Sequence, residues 1–420
     1  MTTRNILFLS HRLPYPPNKG DKIRSYALLK YLVSKGTVHL GCFVDDRSDL
    51  AHLDAVRQLV RGDCHFEFIG PLTKAVRGAR ALVEGKAITV ASFTNARLER
   101  YLKRLFRENT FDDVVVFGSA MAPYLFKSKF GPHRVLFDMT DVDSDKWRQY
   151  SSASAGFFKW LYRREATTLM ETERSAARLF GKTLLVSEFE ADAFRKIAPE
   201  SANKIGSLTN GVDLAYFAPA KFDNPFSEEE CPIVMTGHMG YRPNYEGALW
   251  FAREVLPLVQ ESVPKARAYF VGTSPPPALR AAAGPGIVVT GQVPDVRPYV
   301  QHAGAVIAPL RIARGLQNKV LEAMAMAKPV VATWQATRAL GVRSGTHLWV
   351  ADNPRQFADA VLCALKGDDR EKIAQAGRDY VVQNHNWPTV LTNLDAELDR
   401  VRRTQWPDPH EQNVLCLVAK

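Results

Sequence analysis

Cysteine is scarce in this chain of 420 residues. Only Cys42, Cys64, Cys231, Cys363 and Cys416 occur, and no two of them form a CxxC pair. That scatter excludes a zinc finger or a disulfide framework and reads as free thiols in a reducing cytosol. Long apolar runs are missing too. Runs such as Val114–Phe117 and Ala360–Leu365 fall far short of the roughly 20 residues that span a bilayer. The opening Met1–Asn5, followed by Ile6–Leu9, reads as a short strand and not as a signal peptide. There is no internal repeat, and no nucleic-acid-binding motif, so nucleic acid is not an expected partner.

What is present suits a globular chain of two domains, with 46% hydrophobic residues. The net charge of +11 is unevenly placed: residues 1–207 carry 33 Lys/Arg against 23 Asp/Glu, and residues 208–420 carry 22 against 21. A basic first half suits an anionic membrane surface or an acidic substrate, with a merely solvated basic surface as the alternative. Short β-rich runs alternate with helical patterns in both halves. Ile6–Leu9, Val38–Phe43, His65–Ile69, Val114–Phe117, Val135–Phe137 and Thr183–Val186 read as strands, with helices at 23–34, 50–61, 95–107 and 159–180. Ile233–Thr236, a helix over 246–260, Ala268–Val271, Ile287–Thr290 and Ala305–Ile307 continue the rhythm. Such alternation predicts α/β domains with parallel sheets covered on both faces.

The segment richest in chemistry is Arg314-Gly-Leu-Gln-Asn-Lys-Val-Leu-Glu322, followed directly by Ala323-Met-Ala-Met-Ala-Lys-Pro-Val-Val-Ala332. A glycine opens a helix, and a single carboxylate sits about two turns in. The start of a helix offers unpaired N–H groups and a positive dipole, so the backbone of Gly315, Leu316, Gln317 and Asn318 suits a diphosphate. Glu322 is placed to accept hydrogen bonds from sugar hydroxyls, most simply a ribose. A buried helix with a capped or solvated Glu is the plain alternative.

This segment resembles the donor-site helix of retaining glycosyltransferases of family 4. Asn210-Gly-Val-Asp213, with Phe217 and Pro219 after it, resembles that family's interdomain signature. Gly291-Gln-Val-Pro-Asp-Val296 resembles the loop that borders the nucleotide base, and Ala308-Pro309 the strand end before the donor helix. Order and spacing agree over residues 205–390. Two further stretches, His11-Arg-Leu-Pro-Tyr-Pro-Pro-Asn-Lys-Gly-Asp21 and Asp138-Met-Thr-Asp-Val-Asp-Ser-Asp-Lys-Trp147, resemble a narrower group. These are the exopolysaccharide-type sugar transferases associated with PEP-CTERM systems.

The resemblance implies the GT-B fold, two doubly wound Rossmann-like domains facing each other across a cleft. The expected divisions are an acceptor-side domain over 1–207, a nucleotide-sugar-binding domain over 208–390, and a C-terminal helix and tail over 391–420. It also implies a glycine loop after the first strand, with Lys19 and Gly20 at the donor phosphate and Lys22 and Arg24 as further cations. Relatives carry an Arg and a Lys near the loop that here reads Gly237-His-Met-Gly-Tyr-Arg-Pro-Asn244. Gly237, Arg242 and Lys319 are the corresponding candidates. Where the family has a first glutamate eight positions before the second, this chain has Arg314. Arg314 and His11 are therefore candidates for contact with the sugar or the acceptor. Related enzymes place a His or Asp at the strand end before Asp141, which makes Asp138 and Asp141 the catalytic candidates, with Asp143 and Asp145 as helix caps.

The expected activity is transfer of a sugar, with retention, from a nucleotide-diphosphate sugar to a glycan or lipid-linked glycan acceptor. It needs no metal and no other cofactor, and belongs in the cytoplasm at or near the inner face of the membrane. A catalytically silent nucleotide-sugar-binding subunit, motivated by Arg314, and a GT-B-like 2-epimerase are the alternatives. Phe157-Phe-Lys-Trp-Leu-Tyr-Arg-Arg164 opens a helix with aromatics beside cations, suited either to a membrane surface or to domain packing.

Overall fold

The computed structural model describes residues 4–126, 131–313 and 315–403. Two compact units share the chain: Met1–Leu208 with Leu391–Lys420, and Thr209–Val390.

The sheet of the first unit has seven strands: β1 (Arg4–Ser10), β2 (Gly36–Val44), β3 (Cys64–Phe68), β4 (Asp113–Phe117), β5 (Val135–Thr140), β6 (Lys182–Leu185) and β7 (Ile205–Ser207). They lie in the order β3-β2-β1-β4-β5-β6-β7, and every neighbouring pair is parallel. Helices cover both faces, so Ile6–Leu9 and Val114–Val116 are wholly buried and carry no polar alternation. The helix Gly20–Lys35 runs straight into β2, with Gly36 at the join. A Cβ there would lie 2.0 Å from the Arg4 carbonyl oxygen, so only glycine fits. Asn95 caps the helix Ala96–Glu108 by accepting from the Arg97 N–H at 2.7 Å.

The last described helix, Trp387–Arg403, begins in the second unit and ends in the first. Asp395 takes Arg4 at 2.7 Å and Lys35 at 3.1 Å, while Arg402 reaches Asp113 at 3.4 Å. These bonds make residues 391–403 part of the first unit; residues 404–420 of the expected tail lie outside the described residues. The helix Pro71–Val83, unforeseen in the sequence, lies in the same unit.

In the second unit, β8 (Cys231–Thr236), β9 (Ala266–Val271), β10 (Ile287–Gly291), β11 (Ala305–Ala308), β12 (Val330–Ala332) and β13 (Trp349–Val350) are again all parallel, ordered β10-β9-β8-β11-β12-β13. The helix expected over 246–260 starts earlier, at Arg242, and runs to Ser262 through a π-helical turn at Phe251–Val255. Pro257 has no N–H to donate, which breaks the regular ladder at that turn. Each sheet reverses its winding beside its first strand, between β1 and β4 and between β8 and β11. In such sheets ligands lie outside the carboxyl ends of the strands at that reversal. No helix of the described residues is long and apolar enough to cross a membrane.

Candidate functional site

In the second unit, the loops after β8 and β9 press backbone on backbone. Gly237 has φ 149° and donates its N–H to Val271 O at 3.0 Å. Gly272, also at φ 149°, could carry no Cβ, since that atom would lie 1.7 Å from Gly237 O. A Cβ on Gly237 itself would meet Lys319 Nζ at 3.0 Å and Asn244 Nδ2 at 3.1 Å. The glycine thus leaves an ammonium and an amide side by side against open backbone.

Asn244, buried near the start of the helix Arg242–Trp250, holds this corner together. Its Nδ2 donates to His238 O at 2.8 Å, and its Oδ1 accepts from Lys319 Nζ at 2.5 Å. Gly315, at φ 59°, turns the chain toward the helix Asn318–Ala325, and Gln317 stands at its N-cap with no side-chain capping bond. Leu316, Gln317 and Asn318 are half-buried at that entrance. Lys319 and Glu322 are three residues apart and share one face of the helix. Burial pushes the Glu322 carboxyl up to about 7 against the opposing charge of Lys319. Burial likewise brings the Lys319 ammonium down to about 8, with Glu322 opposing. Among the described residues, no side chain donates a hydrogen bond to Glu322. A cation held by a neutral amide thus stands beside a carboxylate that, among the described residues, accepts from no side chain.

Asn210-Gly-Val-Asp213 is wired to the same helix. Asn210 Nδ2 donates to Asn318 Oδ1 at 3.2 Å, and Asp213 Oδ1 accepts from the N–H groups of Ala215 and Tyr216 at 3.1 and 3.0 Å. Gly211 lies under Trp387, where a Cβ would come within 2.6 Å of the indole ring. The Gly291–Val296 loop arrives through Asp295, which accepts from Tyr216 Oη at 3.3 Å; Arg297 lies 3.8 Å above the Tyr216 ring. Burial raises the Tyr216 phenol, with Asp295 and, more weakly, Glu322 adding to it. Three of the four sequence signatures therefore meet around one helix. Arg242 opens the helix Arg242–Trp250 with its side chain exposed, and its Nε donates to Glu246 at 2.7 Å. Arg314 lies outside the described residues.

In the first unit, Lys19 is exposed and lies 3.6 Å from Asp46, and a Cβ on Gly20 would point into open space. Lys22 and Arg24 differ from their sequence reading as ligand-facing cations. Lys22 is buried 2.6 Å from Asp49, and Arg24 is buried 2.8 Å from Asp138 and donates to Leu208 O. A buried carboxylate needs a partner of opposite charge, and these cations meet that need. Asp138 is fully enclosed; burial raises its carboxyl and Arg24 opposes the rise. His11 packs on Phe117 at 5.6 Å between ring centroids, with Nε2 3.5 Å from Asp21. Its Nδ1 faces Gly118, where a Cβ would come within 2.5 Å. Burial works to raise Asp21, yet His11 and Arg12 hold it well below the usual carboxylate range.

Asp141 is half-buried beyond a strained residue. Thr140 adopts φ 69°, in the left-handed region where a β-branched side chain is costly. Burial, with Glu190 and Asp143 adding, pushes Asp141 up to about 7, and among the described residues Oδ1 has no hydrogen-bond partner. Asp143 and Asp145 lie in the first turn of the helix Asp143–Ser152, where a negative charge meets the positive end of the helix. The sequence reading missed Asn244, Tyr216 and the Asp21 partner of His11. Only Asn244 had a local signal, a Pro-Asn step just after the glycine turn.

Residues 230–367 match glycosyl transferases group 1. That group 1 segment holds Gly237, Asn244, the Gly291–Val296 loop, Lys319 and Glu322. No curated protein matches the chain. Among solved structures, sucrose-phosphate synthase (tll1590) from Thermosynechococcus elongatus aligns with TM-score 0.67 and 16% identity over 94% of this chain and 98% of its own. Anabaena Alr3699/HepE in complex with UDP-glucose aligns with TM-score 0.65 and 15% identity, covering 94% of this chain and 99% of that one. A glycosyltransferase from Rickettsia africae ESF-5 gives 0.63 and 15%, over 96% and 100%. These likenesses identify the fold as GT-B, with the group 1 segment inside its second unit.

Proposed function

We propose that this chain is a retaining glycosyltransferase that moves a sugar from a nucleotide diphosphate to a glycan or lipid-linked glycan, in cell-surface or exopolysaccharide synthesis. The observation that carries the reading is Lys319, held by a neutral amide against the Gly237 backbone, with Glu322 on the same helix face. The ammonium and the helix amides take the diphosphate, and Glu322 accepts from the ribose hydroxyls. As the sugar leaves, negative charge grows on the diphosphate, where Lys319 stabilises it without a metal. The departing oxygen then takes the acceptor's proton, so no separate base is required in the second unit. Asp141, whose carboxyl titrates near neutrality, is the proton-handling candidate of the first unit. Three of the aligned structures, all of Anabaena Alr3699/HepE, hold UDP, UDP with glucose, or UDP-glucose, which makes a uridine donor the first to try. The family resemblance supports retention, family 4 and a cytoplasmic site of action.

The test is release of nucleoside diphosphate from UDP-glucose and other nucleotide sugars by the purified chain. Glu322→Ala should raise the dissociation constant for the nucleotide by about tenfold, as lost ribose hydrogen bonds are worth about 1–2 kcal/mol. Unchanged nucleotide binding in a folded Glu322→Ala variant would sink the donor site. Binding with no turnover on any donor would favour the silent binding subunit that Arg314 suggests.

A further inference from the structure

One face of the first unit is apolar, cationic and uncovered. On the helix Pro71–Val83, Leu72, Val76 and Val83 point outward, each more than half exposed and Val83 90% exposed. The spacing of four and then seven residues keeps all three on one stripe. At the start of the helix Gly156–Leu179, Phe157, Phe158 and Trp160 are also more than half exposed and pack on one another, with 5.7 Å between the Phe157 and Trp160 rings. Arg164 joins the two helices, for its Nη2 donates to Ala81 O at 2.9 Å and to Lys86 O at 3.0 Å. The aromatic cluster therefore stands beside the end of the apolar stripe.

Cations outnumber acids on this face. Residues 156–164 carry Lys159, Arg163 and Arg164 and no acid; residues 71–86 carry Lys74, Arg77, Arg80 and Lys86 against Glu84 alone. Among the described residues, no carboxylate pairs with Lys159 or Arg163. Between the helices lies a cavity of about 500 Å³ whose lining joins Val90 and Phe126 to Arg77 and Lys86 and to the carboxylates of Glu84 and Glu171. Lys74 is paired with Asp45, and Arg80 and Lys86 with Glu84, so among the described residues the free cations beside the aromatics are Lys159 and Arg163. Six exposed large apolar side chains next to such cations are costly in water and do not suit an acidic protein surface, which would leave them wet. They suit the boundary of an anionic bilayer, where aromatics sit at the headgroups and cations meet phosphates.

We infer that this face docks on anionic phospholipid, with Phe157, Phe158 and Trp160 entering the headgroup region beside Lys159 and Arg163. The inference stands apart from the donor site, because vesicle binding is read without nucleotide. Joined to the proposed transfer, it brings the chain to a lipid-linked acceptor.

The experiment mixes the full chain with vesicles of phosphatidylcholine alone or with added phosphatidylglycerol, at rising salt. Binding is expected to the anionic vesicles alone, falling steeply between about 0.05 and 0.3 M salt. A Phe157→Ser, Phe158→Ser, Trp160→Ser variant should bind about tenfold more weakly or worse, and Lys159→Ala with Arg163→Ala should flatten the salt dependence. Circular dichroism and retained UDP binding would certify that each variant is folded. Bilayers with brominated acyl chains should quench the parent and spare Trp160→Phe. No binding at low salt, equal binding to both lipids, or an unaltered triple-serine variant would overturn the inference. So would a lipid-free dimer that the triple-serine variant dissolves, since the face would then join two copies of the chain.

Discussion

The strand ends of the two sheets treat positive charge in opposite ways, although six strands of each follow the same order. In the first unit, Lys22 and Arg24 are closed on Asp49 and Asp138 at 2.6 and 2.8 Å, and nothing of either charge reaches the surface. In the second, Lys319 leans on the amide of Asn244, and its charge remains available. Carboxylate partners make a cation structural. A neutral partner orients it and leaves its field for a ligand. Lys319 and Glu322 are brought toward neutrality because burial strips them of water and each only partly offsets the other's shift.

The largest effect expected from this contrast is on stability. Asp138→Ala strands the buried Arg24 guanidinium and should cost about 3–5 kcal/mol in denaturant unfolding, with loss of the fold as the extreme. A cost under about 1 kcal/mol would show that Arg24 finds water instead, and the contrast would fail.

Lys319→Ala should do the reverse. It should leave unfolding little changed and weaken UDP binding by about 2 kcal/mol, roughly thirtyfold, in calorimetry. If stability fell and affinity held, Lys319 would be structural like Lys22.

Smaller again is the effect of Glu322→Gln, whose sign depends on pH. In the folded chain the Glu322 carboxyl loses its proton near 7, against 4.5 for an ordinary glutamate. Folding therefore takes up a proton between those values, and stability falls as pH rises through that window. The glutamine variant lacks this loss and should be more stable than the parent by about 1 kcal/mol at about pH 8, a figure discounted for partial exposure. Lys319 acts oppositely above about 8, where the unfolded chain holds the proton longer. Thermal melts of both proteins from about pH 5 to 8 would test the sign, and parallel curves would refute it.

Least change in nucleotide binding is expected for Arg314→Ala. If Arg314 faces the transferred sugar, UDP affinity should stay within about threefold while turnover or sugar preference shifts. A drop in UDP affinity as large as that of Glu322→Ala would place Arg314 on the diphosphate instead.

Much of this site was legible because its signals are local. Gly315 with Glu322 seven residues on, the Asn210–Asp213 turn and the Gly291–Val296 loop each carry their chemistry within a few positions. The strand rhythm was legible for the same reason: parallel strands buried on both faces are short apolar runs whatever surrounds them. What stayed hidden depends on pairs far apart in the chain. Lys22 meets Asp49 across 27 positions and Arg24 meets Asp138 across 114, so the sequence shows cations with no sign that they are already neutralised. Lys319 and Asn244 are 75 positions apart. The helix Pro71–Val83 escaped notice because its apolar stripe faces outward, and Thr140 because nothing in a threonine announces a left-handed backbone.

Val212 donates to His385 O at 2.6 Å and pairs in parallel with Asn386, so the second unit is entered and left at one stapled point. Topologically, residues 209–390 are a cassette spliced into a host whose own ends are clasped by Arg4, Lys35 and Asp395. A gene fragment stopping at residue 208 would leave that clasp without its other half. The cassette, by contrast, has two adjacent cut sites, so under the proposed function it is the segment to exchange in a test of what sets donor preference.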